Sequence, residues 1–97
     1  MALLVRVDGS QEEVVLPKEN VLQTLYALLD CDMVEAIPIC EGGDAEGVYE
    51  TAWADEESRL TGKPTNVAAT EMAGRSEFDN AYQILGDCVF TKPGEIE

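Results

Sequence analysis

The sequence predicts an α+β domain: a small, mostly antiparallel sheet of four or five strands, one main helix, and one or two short helices. Three observations predict it. Short stretches of strand-like residues occur at both ends of the chain and in its middle. One segment in the first third repeats its leucines at helical spacing. Turn residues interrupt the remainder at short intervals.

Leu3, Val5 and Val7 alternate with Leu4, Arg6 and Asp8, the period of a half-buried strand. Asp8-Gly9-Ser10 is a hairpin turn, and residues 13–16 supply the returning strand before Pro17 ends it. Val21, Leu22, Leu25, Leu28 and Leu29 then form one apolar stripe, with Glu19 near the positive end of the helix dipole. Asp30-Cys31-Asp32 breaks this helix. Residues 33–40 read as a strand that Pro38 assigns to an edge or a bulge. An acidic, glycine-rich loop follows over 41–47. Residues 48–54 resume an extended pattern with Tyr49, Thr51 and Trp53 on one face, and the two segments form a second hairpin or neighbouring strands. Residues 55–60 form a helical turn, and Asn66 caps a short helix over 67–73 that Gly74 stops. Residues 75–80 are polar, 82–85 fit either strand or helix, and 88–91 form the last strand. The domain spans 1–92 and an acidic tail covers 93–97. The expected core is Leu3, Val5, Val7, Val15, Leu22, Leu25, Leu29, Val34, Ile37, Trp53, Leu60, Val89 and Phe90, a single modest core for a chain of 97 residues.

Composition narrows the function. Twenty acids against six bases give a formal net charge of -14. Such a surface repels nucleic acid and anionic membranes, and it attracts basic proteins. The competing reading of the charge is solubility alone, or life in a saline interior. No apolar run is long enough for a membrane span, and Arg6 and Asp8 interrupt the opening apolar residues where a signal peptide would continue. Cys31, Cys40 and Cys88 are odd in number and widely spaced, which fits reduced thiols and a cytoplasmic location. With no histidine and no Cys-x-x-Cys pair, nothing calls for a metal or a cofactor.

The absence of histidine removes Ser-His-Asp and Cys-His catalysis, and no carboxylate pair stands out among twenty acids. The expectation is a protein that is not an enzyme. Gly62-Lys63-Pro64-Thr65 lacks the upstream glycine of a phosphate loop, and the Asp44/Glu46 loop lacks the ligand spacing of a calcium loop. The most distinctive stretch carries the candidate ligand-binding residues Trp53, Asp55, Glu56, Arg59, Lys63 and Asn66. Arg59 offers a charged fork for a carboxylate or phosphate. Set against that, Asp55 and Asn66 suit helix caps, and Arg59 a neighbouring acid.

The order of features from Leu3 to Phe90 resembles the "domain of unknown function 3846" family of small proteins, often carried by phages, plasmids and other mobile elements. The residues that carry the resemblance are Asp55-Glu56-Glu57, Leu60, Gly62-Lys63-Pro64-Thr65-Asn66, Ala68-Ala69-Thr70 and Gly86-Asp87-Cys88-Val89. The chain departs from the family after the first helix, where Asp30-Cys31-Asp32 stands in place of a glycine-rich turn. The resemblance implies a mobile-element accessory protein and assigns no catalytic residue. Two functional expectations follow. The first is a non-catalytic module that meets a basic protein partner through its acidic surface, in the manner of a nucleic-acid decoy. The second is a binder of a small anionic metabolite or nucleotide; an enzyme of unknown class, working through convergent carboxylates, is the remaining alternative.

Overall fold

The computed structural model describes residues 1–75 and 83–95. Eight elements follow one another: β1 (Ala2–Val5), β2 (Gln11–Val14), α1 (Val21–Leu29), β3 (Val34–Pro38), β4 (Thr51–Asp55), α2 (Ser58–Thr61), α3 (Val67–Met72) and β5 (Cys88–Thr91). The strands form one antiparallel sheet in the order β2-β1-β5-β4-β3. The α+β architecture is therefore as the sequence predicts.

The two hairpins lie at the flanks, and β5 joins them at the centre. Arg6 N–H donates to Ser10 O, and Ser10 N–H donates to Asp8 Oδ1, which closes the first hairpin. This turn sets the register Val5↔Gln11 and Ala2↔Val14. The returning strand thus begins two residues earlier than expected, and Val15 runs past the end of β1 to stand 74% exposed. β3 is an edge strand that finishes at Pro38, where a missing N–H costs no ladder bond.

Register assigns the faces. Val5, Cys88, Phe90, Ala52 and Ala54 point to one side and pack with Ala69, Ala73, Ile84 and Ala45. Ala2, Leu4 and Val89 point to the other, toward Leu25 and Leu29 of α1, with Trp53 and Val34 against them. Both faces of the sheet are covered, so the single expected core is two apolar clusters separated by the sheet. For the same reason β1 is buried on both sides. Its Ala2 and Leu4 are as deeply placed as Val5, and the reading of a half-buried strand is corrected.

Three more expected core residues are corrected. Leu22 turns to the outer side of α1 and is 41% exposed, while Leu25 and Leu29 one and two turns later are buried. Leu60, on a helix of a single turn, is 85% exposed. Val15 is the third. Tyr49 precedes β4 and does not share a face with Trp53; its ring packs on Phe90 with centroids 5.8 Å apart. The polar residues 76–80, Tyr82, and the end of the tail at 96–97 lie outside the described residues.

The alanine-rich side permits an unusually close approach. The 40–49 loop lies over the C-terminal end of α3, where Cys40 N–H donates to Ala73 O and Ala45 N–H donates to Met72 O. A Cβ on Gly43 would collide with the Met72 carbonyl oxygen and the Gly74 nitrogen, so the loop can dock only because that position is glycine.

Candidate functional site

The six candidate residues do not converge on one pocket. Trp53 lies half-buried on the α1 side of the sheet, its indole N–H donating to Thr91 Oγ1 at 2.9 Å. Asn66 is fully buried. Its Oδ1 accepts from Ala69 N–H at 3.0 Å and caps α3, and its Nδ2 donates to Val5 O and Gly86 O, each at 2.9 Å. All of its side-chain polarity is spent inside the fold, tying α3 to β1 and to the turn before β5. As a ligand contact, Asn66 is therefore corrected to a structural residue.

Asp55 and Lys63 act together. Asp55 is 5% exposed, its Oδ2 lies 3.0 Å from Lys63 Nζ, and its Oδ1 accepts from Glu57 N–H at 2.9 Å. Lys63 Nζ also donates to Leu29 O at 3.0 Å and to Asp30 O at 3.3 Å. The ammonium thus satisfies carbonyls left open at the C-terminal end of α1 and faces the negative end of its dipole. Asp30 itself closes α1 at φ 50°, the left-handed conformation usually given to glycine. This explains how the chain manages without a glycine-rich turn there. Asp55 provides a turn bond to Glu57 two residues on and does not occupy the N-cap of α2.

Around this pair opens a cleft of about 310 Å³, lined by Asp30, Cys31, Asp32, Asp55, Glu57, Thr61 and Lys63. Asp30, Asp32 and Glu57 are exposed on it. Glu56 is exposed beside it, held there by its N–H bond to Met33 O at 3.0 Å. Lys63, the one cation among the described lining residues, is committed to Asp55 and the two carbonyls. Burial, and then the Asp55 charge, push the Cys31 thiol above its ordinary value, so it is a poor nucleophile. Among the described residues no group of three or more Cys, Asp and Glu is placed to hold a metal ion.

Arg59 faces a different cleft, of about 230 Å³, along β3. It is lined by Glu35, Ala36, Ile37, Pro38, Arg59, Arg75 and Gln83. Arg59 donates to Gln83 O at 3.5 Å and Arg75 donates to Pro38 O at 3.1 Å. Sequence reading paired Arg59 with Lys63 because they are neighbours in the chain. Arg75 was missed, since its approach to β3 depends on how the chain returns after α3.

Negative charge is outside nearly everywhere. Among the described acids only Asp55 is buried, Asp87 and Glu95 are half-buried, and the remainder are exposed. No described helix is long and apolar enough to cross a membrane. No family model, no curated protein and no solved structure matches this chain.

Proposed function

We propose that this domain is a non-catalytic binding module that meets a basic protein partner through the acidic cleft at the C-terminal end of α1. One observation carries the reading. Asp30, Asp32 and Glu57 stand exposed on a single cleft where the negative end of α1 also points, and Lys63, the only cation among the described residues that line it, is already engaged. A lysine or arginine side chain entering there meets several carboxylates in a recess, where charge counts for more than on a flat surface. Leu60, exposed on α2 next to Thr61 of the cleft lining, supplies apolar area beside the charge, as the centre of an interface requires. A module of this kind would suit an accessory protein of a mobile element that occupies a host's nucleic-acid-binding protein.

The test uses the immobilised domain and a lysate of its own cells. A basic protein should be retained at low salt and released at high salt. Asp32→Lys combined with Glu57→Lys should abolish retention, while Glu19→Lys, beyond the opposite end of α1, should leave it largely intact. Retention that ignores salt, or that falls equally in both variants, refutes a localised acidic site.

A further inference from the structure

We propose that β2 is a docking edge, which takes an extended segment of a partner protein, alternating basic and apolar residues, as a further strand of the sheet. β2 stands at the end of the strand order, with β1 on one side and no strand on the other. The bond from Arg6 N–H to Ser10 O fixes the phase of the ladder. Opposed residues of an antiparallel pair alternate between bonded and unbonded, so Glu12 and Val14 exchange bonds with β1. Gln11 and Glu13 therefore turn their N–H and C=O groups away from it. Among the described residues no other group bonds to that outer row, and Gln11, Glu12 and Glu13 are all exposed. An incoming strand would satisfy these groups by main-chain pairing alone.

The side chains of β2 say what such a strand must carry. Val14 and Leu16 are half-buried at the margin of the cluster on the α1 side of the sheet, where apolar residues of an added strand would extend the packing. Glu13 pairs with Leu3 and so belongs to the opposite face. Glu12 already holds Arg6 at 2.8 Å, whereas Glu13 has no ion pair among the described residues. A lysine or arginine opposite Glu13 completes a cross-strand pair of opposite charge. Because successive side chains of a strand alternate between faces, the matching segment alternates apolar with basic. A second copy of the chain fits poorly. Antiparallel pairing of two β2 strands would set the glutamates of one against those of the other, in molecules that each carry a net charge of -14. Charge is a common guard on open edges. Here the guard has one sign, so it turns away copies of the chain and admits a basic strand.

The probe is a short synthetic peptide in which lysine alternates with valine, titrated at constant ionic strength into the full chain labelled with nitrogen-15. The expected result is saturable movement of amide signals centred on residues 11–15, with slowed hydrogen exchange at Gln11 and Glu13. The same peptide with an N-methylated backbone keeps its charge and loses its donors, and it should bind about tenfold more weakly or worse. Glu13→Lys should also cost about tenfold, and Glu13→Gln less. Glu35→Lys, the same change of charge on the opposite edge strand, should leave the affinity unchanged. Equal affinity for the N-methylated peptide, or signals that move throughout the molecule, would reduce the binding to general attraction and overturn the proposal. So would protection of Gln11 and Glu13 in the free chain together with a dimeric mass in sedimentation, which would give the edge to a second copy. The edge shares no residue with the acidic cleft, so signals that move only at Asp30, Asp32 and Glu57 would support that cleft and refute this edge.

Discussion

Replacing Asn66 separates two roles that one side chain performs. If it served only as the cap of α3, aspartate would replace it at little cost, since the two residues cap about equally well. The structure says otherwise, because Asn66 Nδ2 also donates to the buried carbonyls of Val5 and Gly86. Asn66→Ala removes the cap, worth about 1 kcal/mol. It also withdraws a donor from two carbonyls, at roughly 1–3 kcal/mol each where the oxygen keeps no other partner. Because a carbonyl oxygen has a second lone pair, the sum is taken as about 2–5 kcal/mol. This is a large share of the roughly 5–15 kcal/mol expected for a domain of this size. Asn66→Asp keeps the cap acceptor but aims a carboxylate at two carbonyl oxygens, so at neutral pH it should be at least as unstable as Asn66→Ala. Its folded-state pKa would lie above the unfolded one. The folded form then binds more protons, and stability relative to Asn66→Ala should recover as pH falls through the raised value. Urea unfolding followed by the fluorescence of Trp53, the sole tryptophan, measures all three proteins. Asn66→Asp within about 0.5 kcal/mol of the parent would show that surface-type mutational noise covers the effect and that the two carbonyl bonds contribute nothing.

Other outcomes follow from the same packing. Lys63→Met strands the buried Asp55 carboxylate and uncaps α1; with Lys63 itself 23% exposed, the loss should be about 2–3 kcal/mol, below the full cost of breaking a buried pair. Adding Asp55→Asn should make the double variant lose less than the sum of the singles, and strict additivity in urea titrations would count against the pairing. Gly43→Ala should lower the unfolding midpoint far more than Gly47→Ala, because the first forces the loop off α3 while the second carries only the strain of φ 78° with open space around it. Equal midpoints would show that the loop is not docked. With an aromatic disulfide reagent, exposed Cys40 should react first, half-buried Cys31 slowly, and Cys88 only on unfolding. Burial raises both the Cys31 and Cys88 thiols, so labelling of Cys31 should keep accelerating as pH rises past the ordinary thiol range. Rapid native labelling of Cys88 would contradict its placement at the sheet centre.

Local chemistry was legible where it acts within a few residues. The leucine spacing located α1, Asn66 announced the cap of α3, and Pro38 marked an edge strand. What the sequence concealed depends on third parties. The alternation of Leu3, Val5 and Val7 is genuine, but Leu4 is buried as well because α1 covers the face it points to. Leu60 looked like core because it is leucine, yet a helix of four residues has no second turn to bring it inward. The candidate cluster divided for a similar reason. Lys63 was read as a ligand-binding cation, but the end of α1, more than thirty residues earlier, had already claimed it. The Arg59–Arg75 juxtaposition is set by the path after α3, which no local pattern encodes.

The position of β5 has a consequence for how the molecule comes into being. It is the last of the described strands to be synthesised, yet it sits in the middle of the sheet, between β1 and β4. Until Cys88–Thr91 emerges from the ribosome, the earlier hairpins have no shared neighbour and each presents an unsatisfied edge. Assembly therefore waits for the final strand, and a nascent chain stalled before it would be the form most exposed to chaperones, proteases and self-association.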